Sequence, residues 1–334
     1  TVAAFTILQP PARPQQERVP KQGETFLVLT RPVFVDSLRP WIAFRESQDL
    51  DVKVKAWDCV PSVSDMKQWV RANASSSCRY ALLVGDCAAE SEGQTEWHLP
   101  SIPLGSGGLS DSLYADIDGD GRPDLAVGRL PVRTRADLNK AVDKILEYER
   151  QPVVLKPCRA IIWIAAGGFE EIAHQMTGRL GELLPKWLSP LVISPDLPAK
   201  RQSEKFLESL ALPTLLSVVI AHGSYRDLDV SQEEDEKVYL AVEDVAQLQG
   251  GHPAAPMFIL SCNSGTFCTD TTQSASLGEA FFARPSGPVA VVGSGASTTP
   301  LVNYFLARAL ASVLEERQAA PPCVGDLFRL TQCR

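Results

Sequence analysis

The segment FILSCNSGTF, residues 258–267, decides how the rest of the chain is read. Apolar residues run into Cys262, and the chain then turns polar and gains a glycine. That order marks a buried strand ending at a loop. SVVIAHGSYRD, residues 217–227, has the same form and carries its apolar run into His222 and Gly223. The residues alone leave three readings of Cys262 open: a reactive thiol, half of a disulfide with Cys268, or a small buried side chain. His222 is either its partner or an ordinary residue bonded at the end of its own strand.

Outward from these two segments, strands and helices alternate. ETFLVLT (24–30), DVKVKAWDCV (51–60), YALLVGD (80–86) and PDLAVGRLPV (123–132) read as strands of a first half. A Ser-capped helix is expected over 62–73, and a helix opened by Thr134 and Asp137 over about 135–150. Strands in the second half are expected at 159–167, 214–221, 256–261 and 288–293, with helices at 169–187, 274–283 and 301–316. Such alternation predicts an α/β fold with a mostly parallel sheet covered on both faces. The Pro- and Gln-rich residues 1–22 read as an extended arm, and Gln151–Pro157 as a linker. The expected organisation is therefore 1–22 arm, 23–151 first α/β subdomain and 152–334 second subdomain. His222 and Cys262 then both lie beyond carboxyl ends of strands, where open α/β sheets form sites.

The composition narrows the function. The net charge of -8 gives no broad attraction to nucleic acid or to an anionic membrane. No apolar run is long enough to span a bilayer, so no membrane insertion is expected. The N-terminal residues lack the basic-then-apolar order of an export signal. Eight cysteines and four histidines occur without a CxxC pair, so their spacing does not suggest zinc.

A cysteine attacks a carbonyl as its thiolate, and a free thiol ionises only near about pH 8.5. An adjacent imidazole raises the thiolate fraction and can later protonate a leaving amine. Gly223 beside His222 would let a backbone N–H approach the reaction centre, and the Cys262 N–H would be a second oxyanion donor.

A different chemistry is written in DIDGDGRPD, residues 116–124. Asp116, Asp118, Asp120 and Asp124 alternate with turn residues, and the Arg122 carbonyl adds another hard oxygen. Calcium takes such ligands, so a structural Ca2+ loop is expected, with no organic cofactor. The loop is not a complete EF-hand, because Val127 stands where that motif has Glu. A solvated acidic turn is the competing reading.

Taken together, VVIAHGS (218–224), MFILSCNSGTF (257–267), LGEAFF (277–282) and GPVAVVGSGAST (287–298) resemble the gingipain-type cysteine peptidases, relatives of the caspases, legumain and clostripain. YALLVGD, SDSLYADIDGDGRPDLAVGRLPV (110–132) and the helix ending ILEYER extend the resemblance over about residues 23–332. It implies a caspase-like α/β/α sandwich of two side-by-side subdomains. It also implies an endopeptidase with Cys262 as nucleophile, His222 as acid and base, and oxyanion stabilisation near Gly223 and Cys262. Gly293 and Ser294 match a substrate-binding strand and loop. Glu171, and after it Glu170, match an acidic residue in the pocket that receives the side chain before the cut, which would favour Arg or Lys.

The sequence departs from the family in two places. The loop before Glu170 is short, and the separate acidic residue near the catalytic His has no match, with Ala166 or Gly167 at its place. His174, His98 and His252 have no reason to enter the chemistry. The partners implied are a peptide or protein substrate and, in a longer protein, a propeptide or further domains. The resemblance suggests an extracellular or bacterial cell-envelope location. A transpeptidase using the same Cys–His site and an inactive peptidase-like scaffold or recognition module are the alternatives.

Overall fold

The computed structural model describes residues 23–87, 95–105, 107–151, 158–165, 170–228, 238–267, 275–316 and 323–334. The expected arm at 1–22 and residues 152–157 of the expected linker lie outside this set.

The first half runs β1 (Glu24–Thr30), α1 (Val35–Glu46), β2 (Leu50–Ala56), α2 (Val63–Asn73) and β3 (Cys78–Val84). The short β4 (Ile102–Pro103) and β5 (Leu109–Ser110), then β6 (Ala126–Leu130) and α3 (Arg135–Arg150), complete it. Its sheet has the order β2-β1-β3-β6, with every pairing parallel. The second half begins with β7 (Arg159–Ala165), α4 (Glu170–Leu183), β8 (Ser189–Ile193), α5 (Ala199–Ser209) and β9 (Leu216–Ala221). It continues with β10 (Asp227–Leu228), β11 (Leu240–Ala241), α6 (Val242–Val245), β12 (Met257–Leu260), α7 (Leu277–Ala283), β13 (Val291–Gly293), α8 (Pro300–Glu316) and α9 (Val324–Gln332). Its five-stranded sheet has the order β13-β12-β9-β7-β8, again wholly parallel. The ribbons β4–β5 and β10–β11 are antiparallel.

Side chains alternate across a strand, so β1 shows directly why the sheet is covered twice. Phe26 and Val28 enter one core, which also contains Trp41 of α1, Ile162 of β7, Val218 of β9 and Phe258 of β12. Leu27 and Leu29 enter a second core with Met66 and Val70 of α2. The first core therefore runs through both sheets. The cap expected at Ser62 is present: its hydroxyl accepts the Asp65 N–H at 3.0 Å, and the Asp65 carboxylate accepts the Ser62 N–H at 3.1 Å. The Thr134 hydroxyl likewise accepts the Asp137 N–H at 3.1 Å.

Besides the short ribbons, α6 and α9, the elements α1, α5 and β8 do not follow from periodicity. α1 contains Pro40, a residue that argues against helix, yet Leu38 and Trp41 bury its inner face. α5 is mostly polar and buries only part of one side around Phe206. β8 is a five-residue edge strand that includes a proline. The helix expected over 169–187 stops at Leu183, just before Pro185. Among the described residues no helix is long and apolar enough to cross a membrane.

Polar contacts pin the halves together. Buried Lys144 of α3 donates to the carbonyls of Phe282, Arg284 (3.3 Å) and Pro288 (3.0 Å) at the end of α7 and beyond. Burial pushes its ammonium down to about 7, and the three carbonyls are what accommodate it. The Tyr80 hydroxyl of β3 donates to Asp326 of α9 at 3.2 Å.

Ser276 and Glu279 form the capping box of α7, with the Glu279 carboxylate accepting the Ser276 N–H at 2.8 Å. Burial, with the Asp86 charge nearby, pushes Glu279 up from 4.5 to about 8. A carboxyl raised in this way favours the fold below its unfolded value and loses that contribution as pH rises through the folded one. Glu279→Gln retains the cap without the charge. Its thermal midpoint is expected to exceed that of the native chain by about 2–4 °C near pH 8, and to fall less between about pH 5 and pH 8. Differential scanning calorimetry across that range checks this; parallel pH profiles would refute it.

Candidate active site

β9 and β12 are neighbours, with Leu260 opposite Ile220. His222 and Cys262 each stand two residues beyond that pair, so the register delivers both to one stretch of the carboxyl edge of the sheet. Both are half-buried. Asn263 takes a left-handed conformation, φ 52°, and turns the chain directly after Cys262. The buried Ser264 hydroxyl lies 3.1 Å from the Ile259 carbonyl and 3.2 Å from that of Ser261, and so closes the turn back onto its strand.

Cys262 is a free thiol. Cys268, its alternative disulfide partner, lies outside the described residues. The partners of the Cys262 sulfur come from Thr298. Its S–H donates to the Thr298 carbonyl at 3.3 Å, the Thr298 N–H donates to Sγ at 3.3 Å, and Oγ1 lies 3.7 Å from Sγ. Asn303 Nδ2 in turn donates to Thr298 Oγ1 at 2.9 Å and to the Leu260 carbonyl at 2.8 Å. Among the described residues His222 is not a hydrogen-bond partner of Cys262. Burial pushes the thiols of Cys78 and Cys158 up to about 11 and that of Cys323 up to about 12, which keeps them protonated and poorly nucleophilic.

Thr298 and Asn303 were not singled out in the sequence. Thr298 closes the GAST segment, whose only signal in the sequence is the family resemblance. The available signal for Asn303 is one amide within the apolar run PLVNYFLARAL, where a buried polar side chain must find partners.

The glycines of the site are governed by close packing. A Cβ on Gly223 would stand 2.4 Å from the Asp227 carbonyl oxygen and 2.5 Å from Ser261 Oγ, so glycine lets the His222 and Cys262 loops touch. A Cβ on Gly265 would stand 2.6 Å from the Gly293 carbonyl carbon. Gly293 ends β13, the edge strand of its sheet. The Ser294 carbonyl accepts the Gly265 N–H at 2.9 Å, and the Gly295 carbonyl accepts the Leu109 N–H at 3.2 Å. The loop after β13 is thereby clamped between the Cys262 turn and the β4–β5 ribbon of the other half.

β7 pairs with β9 up to Ala165 opposite Ala221, so α4 starts from the same edge of the sheet. Glu171 is exposed at its first turn; the side chain of Glu170, and Ala166 and Gly167, lie outside what is described. His174 bonds Asp196 at 2.7 Å, His252 bonds Glu147 at 3.1 Å, and His98 forms a backbone bridge with Asp86.

The acidic loop brings three carboxylates together. Ligand oxygens of Asp116, Asp118 and Asp120 all lie within 4.8 Å of one another, with Asp116 buried and the other two exposed. Such a set of hard oxygens could coordinate a divalent cation such as Ca2+. Asp116 already accepts the Gly119 N–H at 2.8 Å and the Gly121 N–H at 3.3 Å, and both glycines have positive φ. Asp120 accepts the Arg122 N–H at 2.8 Å. Asp124 is not one of the three: its carboxylate accepts the Ile117 N–H at 2.8 Å and closes the loop at its base.

Gly223→Ala and Gly265→Ala are each expected to cost about 1–3 kcal/mol of stability, because backbone must move to admit the methyl. Gly251, whose Cβ would meet nothing within 4 Å, supplies the control substitution. Urea unfolding of the three variants checks this, and a Gly223→Ala midpoint equal to that of the control would refute it.

The site can be set beside known proteins. Among curated proteins no significant match is found. A solved structure described as "Structure of Protease" superimposes with a TM-score of 0.63 at 16% identity, covering 92% of this chain and 75% of that one. At that identity the likeness speaks to the fold. The family model described as "Peptidase family C25" matches residues 19–334. This chain therefore belongs to peptidase family C25, the gingipain-type cysteine peptidases, and its general activity is peptidase-like.

Proposed function

We propose that the chain is a cysteine endopeptidase in which Cys262 attacks the scissile carbonyl and His222 serves as acid and base. The observation that carries the reading is the β9–β12 register, which delivers a free thiol and an imidazole to one edge. In this reading His222 takes the thiol proton, and the sulfur forms a bond to the carbonyl carbon. The N–H groups of Gly223 and Cys262 receive the oxyanion. The tetrahedral intermediate expels the amine, which leaves with the proton from His222. Water, deprotonated by His222, then hydrolyses the thioester and restores Cys262.

The substrate in this reading is an extended peptide lying along β13 near Gly293 and Ser294, a form of strand addition. β13 is an edge strand, which supports that placement. Glu171, with Glu170 beside it, would attract an Arg or Lys before the cut; the exposed position of Glu171 at the sheet edge that carries His222 supports this. The fold is read as caspase-like, with subdomains 23–151 and 152–334. The location is read as extracellular or cell-envelope, by family resemblance. A second reading, an inactive peptidase-like scaffold, is favoured by one observation: the sulfur's hydrogen bonds go to Thr298 and not to His222.

A peptide library read by mass spectrometry tests these readings. Cleavage is expected after Arg or Lys. It should fall by at least about 10³-fold in Cys262→Ala, the scale on which loss of a nucleophile acts. Glu171→Ala is expected to reduce the basic preference without abolishing turnover. Undiminished cleavage by Cys262→Ala would exclude the mechanism. Equal cleavage after Arg and neutral residues in both native chain and Glu171→Ala would exclude the acidic pocket.

We further propose that Asp116, Asp118 and Asp120 bind a structural Ca2+, with the Arg122 carbonyl as a further ligand and Asp124 bracing the loop. Calcium is then expected to raise the thermal midpoint saturably, and Asp118→Asn combined with Asp120→Asn to abolish that rise. Isothermal titration of metal-stripped protein without heat of binding would contradict it.

A further inference from the structure

We propose that Asn303, acting through Thr298, holds a hydroxyl hydrogen on the Cys262 sulfur and so stabilises its thiolate; this rests on the reading of Cys262 as the nucleophile. Asn303 is buried, at 3% exposure, in a helix whose other inward residues are apolar. An amide nitrogen offers two hydrogens, and both are used. One goes to the Leu260 carbonyl at the end of β12 at 2.8 Å, and the other to Thr298 Oγ1 at 2.9 Å.

The second bond has a chemical consequence. A hydroxyl has one hydrogen and two lone pairs. With an amide hydrogen donated to Oγ1, the Thr298 hydrogen points away from Asn303. The sulfur lies 3.7 Å from Oγ1, and because its own S–H goes to the Thr298 carbonyl, the hydroxyl is assigned as the donor of this pair. The Thr298 N–H adds a second donor at 3.3 Å.

The three Thr298 contacts divide by protonation state. The carbonyl at 3.3 Å accepts the S–H of the resting thiol. Once the proton has left, that carbonyl opposes the negative charge, while the N–H and the O–H favour it. Hydrogen bonds to a charged group are the stronger class, so the two donors gain strength as the thiolate forms. Thr298 touches the reacting sulfur; Asn303 is a positioning residue. The Leu260 bond ties the same amide to the strand end that carries Cys262, so the sulfur and its donors move as one unit. This supplies charge stabilisation to a thiol that has no described hydrogen bond to an imidazole.

The test is the pH dependence of iodoacetamide labelling at Cys262 in the full chain, read site by site by peptide mass spectrometry. Thr298→Val removes the hydroxyl and keeps the backbone contacts. It is expected to move the labelling midpoint upward by about one pH unit. Thr298→Ser, which restores a hydroxyl, is expected to return the midpoint towards the native value. Asn303→Ala should shift it in the same direction. The Thr298→Val/Asn303→Ala double variant should go no further than the larger single shift, since both act through one bond. A purely structural role would change thermal stability without moving the labelling midpoint, so both are measured. An unmoved midpoint in folded Thr298→Val overturns the proposal, and fully additive shifts overturn the role of Asn303 through Thr298. Labelling needs no peptide turnover, so failure of the peptidase reading would show separately, as native protein that labels normally and cleaves nothing.

Discussion

The structure depends most on Arg129, a fully buried cation that gathers the loops of the first half and touches the second through one ring. Its guanidinium bonds Asp111 at 2.8 and 3.0 Å, and the carbonyls of Gly85 at 2.8 Å and of Leu99 and Pro100 at 3.1 Å. It also lies 4.9 Å from the ring centroid of Phe267, five residues after Cys262. Burial alone would push Asp111 up, but the Arg129 charge and hydrogen bonds outweigh it and hold the carboxyl below its usual range. Burial acts on Arg129 in the opposite sense, and Asp111 outweighs it there too. Removing either partner would leave a buried charge uncompensated, which typically costs about 3–5 kcal/mol. The pair therefore enforces one arrangement of the Gly85 turn, the 99–101 segment, β6 and the far side of the Cys262 loop.

Around that anchor the active-site edge is assembled from rigid parts. Two parallel strands set the level of His222 and Cys262. Gly265 brings its turn to within backbone contact of Gly293, Gly223 leaves room for the Ser261 hydroxyl, and the 294–298 segment is clamped from both sides. Thr298 is thus presented to the sulfur by a loop whose path is determined by contacts in both halves. Sites supported in this way hold their geometry better than sites on free loops. Lys144 performs a similar service further along, gathering carbonyls around the end of α7 and beyond.

The charged groups follow one physical rule. Where a partner is at hand, as at Arg129 and Asp111, both charges are kept. Where burial dominates, as at Glu279 and Lys144, the neutral form gains. The acidic loop is different again: its carboxylates are organised by backbone N–H groups, and two of the three face solvent. That loop lies just upstream of β6, the strand that carries Arg129.

Much of this was legible in the sequence because it rests on local chemistry. The strands ETFLVLT and MFILSC, the Ser62 and Thr134 caps, and the acidic glycine loop are all written in residues close together in the chain. Strand periodicity alone placed His222 and Cys262 beyond strand ends. Helices α1 and α5 and strand β8 were not legible, because Pro40, a polar surface and an edge proline each contradict the element that tertiary burial imposes. The union of Thr298 and Asn303 with Cys262 was likewise out of reach. A local pattern determines which residues are buried and where the chain turns. Which distant carbonyl, hydroxyl or amide meets a given sulfur depends on how two sheets and a helix are packed, and that information exists only once the chain has folded.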